Sequence, residues 1–427
     1  MEPTTYDMTE SFEKKGYWWT SANPNQKAAG TLTYSPSNGL LLELIGLPGS
    51  NKEFWQILES KENINLYGTT TTEKEISLFN CHAWGTIHLN CSFSVQKFSC
   101  QYAVIGKLLD SFEQECFFSA RIQIPILSHW CPPHLLSQEF REDNSTLIST
   151  KEQPETINCA HIEPGITLTL KSEIKSHRDT FLIKIEQSTS LFLQYDKDTS
   201  LSRILQDVHL FCHFLSFATL QNVAIEEIIL KDKNAFQEFP NGHKFYDSIN
   251  IIYSQKELAR TKKFDEFLFH HATIKTSFSN VIKKWYSANI DLAPIRQHLI
   301  ECIKHKNTFT SIDFLLVIQA LEGFSYRFRK EKESLFTLLA NLYNEFQDVG
   351  IPSINIKQAV DSRHYYSHFM PKTKKPNTLD GIELYNLTHN LRILLICCLL
   401  NFIGFDNTQI KSIITKSNSF FTKSLEE

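Results

Sequence analysis

The stretch "NIKQAVDSRHYYSHFMPK", residues 355–372, decides how the second half of the chain is read. Ser353 or Asn355 is placed to cap a helix, and Pro371 stops that helix soon after Phe369. The runs on either side have the same texture. Upstream stand "FDEFLFHHATIKTSFSNVIKKWYSAN" (264–289), "LAPIRQHLIECIKHK" (292–306), "SIDFLLVIQALEGFSYRFRK" (311–330) and "SLFTLLANLYNEF" (334–346). Downstream stands "GIELYNLTHNLRILLICCLLNFIGF" (381–405). Six amphipathic or apolar runs joined by short polar links predict an antiparallel helical bundle.

The first half reads differently. "GTLTYSPSNGLLLELIG" (30–46) is two apolar strands around Asn38-Gly39, the dipeptide favoured where both central residues of a type I′ turn need positive φ. Strands are also expected at 86–95, 99–106, 117–127, 166–174 and 180–187, many alternating as a sheet with one wetted face does. "REDNSTLISTKEQPET" (141–156) reads as a polar loop. A helix is expected over 200–220, from the spacing of Ile204, Val208, Phe211, Leu215 and Ala218, then strands near 224–230 and 247–253. The expected class is therefore α+β: a β-rich sandwich or open barrel over 1–270, then an all-α bundle over 271–427.

Composition narrows the function. The 427 residues are 42% hydrophobic with 32 Phe, a core-rich chain, and the net charge of −4 offers no global field for nucleic acid or membrane. Any nucleic-acid contact must be local. Ten cysteines form no CxxC, so no zinc ribbon or thioredoxin-like site is signalled. "MEPTTYDMTE" lacks an apolar export core, and "ILLICCLLNFIGF" (393–405) falls short of the roughly 20 residues that span a bilayer. Free thiols in a reducing cytoplasm, with no membrane contact, are the expectation. No Walker A loop is present, and "CAHIEPG" (159–165) lacks the P-C-x-x-C of a zinc deaminase. His364 and His368 share a helix face but have no third ligand in the pattern, so neither metal nor cofactor is expected.

Arg363 and His368 lie five residues apart, about 140° around a helix axis at roughly 100° per residue. They do not stack, yet a long arginine can swing to the imidazole's side. Cutting RNA without a metal needs a base for the ribose 2′-OH, an acid for the leaving 5′-oxygen and a cation for the phosphorane. Histidine titrates near working pH and arginine's fork matches phosphate oxygens. From spacing alone an R-x4-H arises readily by chance, and a solvated pair is the simpler reading.

Context adds to it. The helical run with "RHYYSH", near the start of its penultimate member and followed by a long apolar helix, resembles a HEPN domain. It is most similar to that of the ApeA family, single-protein anti-phage defence factors of bacteria. Ala320, Leu321 and Glu322 resemble that family's "alE" signature, and Asp361, Arg363, Tyr365 and His368 its "dtRNyltH" block. "KKGYWWTSANPNQKAAGTLTYSPSNGLLLELIG" (14–46) and "FFSARIQIPILSHW" (117–130) are similar to its N-terminal blocks. His364 departs from the pattern, standing where such nucleases commonly carry Asn.

The resemblance implies an anti-phage ribonuclease acting by metal-independent transesterification, with a tRNA loop one candidate substrate. It implies His368 as acid/base, Arg363 as charge stabiliser, and His364 and Glu322 as supporting groups. Glu322 has a plainer alternative, a bundle-edge pair with Arg327 or Arg329. Lys372, Lys374 and Lys375, directly after His368, are candidate RNA contacts. A homodimer through the helical domain and a phage-derived trigger bound by the N-terminal domain are implied as partners. The competing reading is a HEPN module that no longer cuts and binds RNA or protein.

Overall fold

The computed structural model describes residues 6–46, 63–73, 75–84, 95–141, 146–150, 155–178, 180–240, 242–255, 267–304, 309–329 and 333–423. The chain divides into two compact units. Met1–Cys159, Pro164–His209 and Ala224–Arg260 form the first; Ala160–Glu163, Leu210–Val223 and Thr261–Glu427 form the second.

The first unit is β-rich. Its strands begin with β1 (Phe12–Thr20), β2 (Ala28–Ser35), β3 (Gly39–Ile45), β4 (Ile64–Thr70), β5 (Ile76–Trp84), β6 (Val95–Cys100), β7 (Tyr102–Ile105) and β8 (Phe117–Gln123). They continue with β9 (Leu136–Phe140), β10 (Thr146–Thr150), β11 (Glu155–Glu163, its last four residues assigned to the second unit), β12 (Ile166–Arg178), β13 (Ile183–Thr199), β14 (Glu227–Asp232), β15 (Phe236–Glu238), β16 (Lys244–Tyr246) and β17 (Ile249–Tyr253). Thirteen of them form one sheet ordered β11-β12-β13-β8-β14-β17-β7-β5-β4-β1-β2-β3-β6. Because β5 also pairs with β6, six of these strands close into a barrel. The expected α+β class forms, with a β-rich region built around a barrel ahead of a helical one, and closure through β5 and β6 removes the sheet's free edges there.

Trp18 fills the barrel and has no exposure. It lies opposite Gly68, where an added Cβ would meet the indole ring at 2.2 Å. Gly68→Ala is expected to destabilise the chain by about 1–3 kcal/mol, the usual cost of overpacking a core, read as a lower denaturation midpoint at unchanged slope. Trp19 is also buried, with Lys27 Nζ 4.4 Å above its ring. Both tryptophans thus belong to the packed structure.

Several local expectations change. The hairpin at 28–45 forms, but Ser35 pairs with Gly39 and leaves three residues in the connection. Gly39 alone takes the left-handed conformation, at φ 72°, so this is no two-residue type I′ turn. Residues read as a polar loop contain β10, paired with β9 in a two-stranded ribbon. The ribbon is exposed along most of its length, so no alternation of apolar residues marks it. Most of the strand expected at 86–95 lies outside the described residues.

The helices are α1 (Pro125–Trp130), α2 (Leu201–Thr219), α3 (His271–Ile274), α4 (Phe278–Ser287), α5 (Asn289–Lys304), α6 (Ser311–Phe324), α7 (Leu335–Glu345), α8 (Ile356–His368), α9 (Gly381–Ile403) and α10 (Asn407–Lys423). The division between the units falls inside α2. In the second unit, Phe217 stacks on Trp285 at 5.8 Å, and Trp285 Nε1 donates to the Leu210 carbonyl at 3.0 Å. Residues 393–403 of the apolar run end the 23-residue α9, which is longer than that stretch suggested, and Gly404 caps the helix. By length and composition α9 could cross a membrane, yet 67% of its apolar window is buried within the chain, as befits the core helix of a bundle.

Burial holds His271 and His389 in this unit down at about 4. An unfolded chain takes up these protons near pH 6.5 while the folded chain refuses them until about pH 4. Stability is therefore expected to fall as pH drops through that window. Denaturation midpoints at pH 7 and pH 5 measure it, and His271→Gln should flatten the slope.

Candidate active site

Two helices assemble the site. On α6, Phe314, Val317, Ile318, Leu321 and Phe324 are buried at helical spacing, and the Asp313 carboxylate accepts the Thr310 N–H at 2.7 Å to fix the helix start. Glu322 sits beside this apolar stripe, just before a π-helical turn, Ser325–Arg329. Such turns recur at functional sites. On α8, the Asn355 Oδ1 accepts the Gln358 N–H at 3.2 Å, the cap expected for that residue. The helix closes with Phe369 in the left-handed conformation, two residues before Pro371. Arg363 and His368 thus lie in its C-terminal half, not near its start. Because α10 follows α9, α8 is the third helix from the end of the described residues, not the penultimate one.

Arg363 bridges the other two groups. Its Nη1 is hydrogen-bonded to His368 Nε2, and its Nη2 lies 3.4 Å from both Glu322 oxygens. The arginine has swung across the helix face to bring together residues 41 positions apart in sequence. Arg327 instead donates to the backbone carbonyl of Asp291 at 2.9 Å, and Arg329 pairs with Glu345 at 2.5 Å. Neither takes Glu322, so the plainer pairing of that carboxylate is not what forms. Arg363 and Glu322 keep 20% and 27% side-chain exposure, enough to be reached from solvent.

The set is not fully satisfied. Arg363 Nε and His364 Nδ1 are buried without a hydrogen-bond partner. An unmet buried polar atom costs about 1–3 kcal/mol. His364 stacks loosely with His368, ring centroids 5.7 Å apart and planes tilted by 32°. Burial, then the cations Lys375 and Arg363, push its imidazole below the ordinary range, so it is neutral at pH 7.

The segment after His368 is strapped to α8. Asp361 is buried, accepting from Asn377 Nδ2 at 2.7 Å with Lys375 Nζ at 3.5 Å. Burial pushes this carboxyl up, but the Asn377 hydrogen bonds and Lys375 outweigh it and leave it below its usual value. Ser362 Oγ accepts the Leu379 N–H at 3.0 Å, and Tyr366 donates to the Leu379 carbonyl at 3.1 Å. Lys372 pairs with Asp380. Two of the three candidate RNA-contacting lysines are thus matched by carboxylates, and Lys374 alone has no ion-pair partner among the described residues. Asp361, Ser362 and Asn377 hold this segment, and no spacing rule in the sequence marks them for that task.

Among the described residues no group of three or more His, Cys, Asp or Glu comes together as a metal ion would require. The Apea-like HEPN family model matches residues 315–409, a span that contains Glu322, Arg363 and His368. The model of ApeA N-terminal domain 1 matches residues 13–285, and the chain belongs to the ApeA family, HEPN proteins of anti-phage defence. No curated protein and no solved structure matches it.

Proposed function

We propose that the chain is a ribonuclease that cleaves RNA by metal-independent transesterification in response to infection. The Arg363 guanidinium, held between His368 and Glu322, is the observation that carries this reading. To accept from Arg363, His368 Nε2 must present its lone pair, the same pair a general base uses on a ribose 2′-OH. A phosphate arriving at the guanidinium competes for its N–H groups and frees that nitrogen. Substrate binding then uncovers the base, while Arg363 offsets charge on the phosphorane. Glu322 keeps the fork aimed, and neutral His364 is a second proton carrier beside it.

The leaving 5′-oxygen needs an acid in addition to this set, and a second copy of the helical unit supplies one if the protein works as a homodimer. The β-rich unit is left as the sensor of a phage-derived trigger, and an exposed tRNA loop fits a site that needs splayed nucleotides. His364, standing where the family carries Asn, favours the second reading, a module that binds RNA or protein without cutting. Cleavage of RNA in EDTA is the test: undiminished activity supports the proposed chemistry, and loss restored by a divalent cation overturns it.

A further inference from the structure

Phe369 follows His368 directly and is 88% exposed. It also adopts φ 53°, a region that bulky side chains rarely enter and that helix ends usually give to Gly or Asn. Folding of the unit explains neither feature: the ring joins no core, and a smaller residue would end the helix with less strain. The two neighbouring aromatics are already engaged. Tyr366 is tied to the Leu379 carbonyl, and Tyr365 stands edge-on to it at 4.8 Å with Lys372 Nζ over its face at 5.7 Å.

We infer that Phe369 is the platform on which a base of single-stranded RNA stacks beside the scissile linkage. The inference rests on the proposed RNA-cutting role of this site and names its substrate form. In-line attack by a 2′-OH needs a linkage bent away from helical geometry, so one base must leave its stack. An exposed ring next to the general base gives that base a new face. Phenylalanine has no polar handle, so it accepts every base, and the site it serves selects unpaired RNA over a particular sequence.

The test uses the full chain and a short single-stranded oligonucleotide with every ribose 2′-O-methylated, which transesterification cannot cut, carrying 2-aminopurine at each position in turn. Wild-type protein should quench the fluorophore in at least one register. Phe369→Ala should bind on the order of 5- to 150-fold more weakly without quenching, and Phe369→Trp should keep both. On unmodified RNA of the same sequence, Phe369→Ala should raise KM by a similar factor with kcat little changed. Quenching and affinity unchanged in Phe369→Ala overturn the inference, as does no binding by wild type. It also fails if the alanine variant weakens binding only by converting a dimer to a monomer in light scattering, for the ring then belongs to a contact between copies. Quenching by a wild-type chain that cuts no RNA would refute the nuclease reading and leave the stacking platform standing.

Discussion

Replacing His368 by alanine is expected to lower the rate of RNA cleavage by about 10²–10⁴-fold, the contribution of a positioned acid or base. The fold should be untouched. His368 is exposed at the end of α8, and substitutions at such positions usually change stability by no more than about 0.5 kcal/mol. Single-turnover cleavage alongside a denaturation curve separates chemistry from stability. The neighbouring His364 is placed to substitute partially, so His364→Ala/His368→Ala should fall below His368→Ala. Equal rates for wild type and His368→Ala would remove this helix from the chemistry.

Replacing Arg363 is expected to cost about 10²–10³-fold in kcat, as losing one donor to a developing oxyanion does. Lysine should rescue little. An ammonium keeps the charge, but a single point cannot hold a phosphate, His368 and Glu322 in the plane that the guanidinium fork provides. The comparison that matters is Arg363→Lys with Arg363→Ala at saturating RNA. If lysine restores nearly full activity, the site needs only a positive field and the geometry argued here is not what it uses.

These outcomes turn on features that were unequally visible in the sequence. The helical half was legible because its apolar residues recur at helical spacing over long runs. Asn355 and Pro371 mark the ends of α8 by chemistry that acts within a few residues. The barrel was partly legible: Gly39 announced a hairpin, but closure depends on β5 meeting β6, a pairing that no local pattern encodes. The ribbon of β9 and β10 was hidden because both its faces meet water.

The site shows the same limit. Arg363 and His368 share one helix, so their meeting was within reach of spacing and side-chain length. Glu322 lies 41 residues away, and only the resemblance to the family brought it forward. Two of the three lysines, Lys372 and Lys375, meet carboxylates of Asp380 and Asp361 across a turn whose course is set by tertiary hydrogen bonds that no local pattern encodes. Charge runs read from sequence say nothing about which charges are already answered.

In the proposed reaction, one imidazole and one guanidinium on α8 cut RNA through its own 2′-hydroxyl. The chemistry of the new ends tests it most directly. RNA treated with the wild-type chain in EDTA should carry 2′,3′-cyclic phosphate and 5′-hydroxyl termini, and the His368→Ala chain should leave none. Termini with 3′-hydroxyl and 5′-phosphate, or the same cyclic ends from the His368→Ala chain, would contradict it.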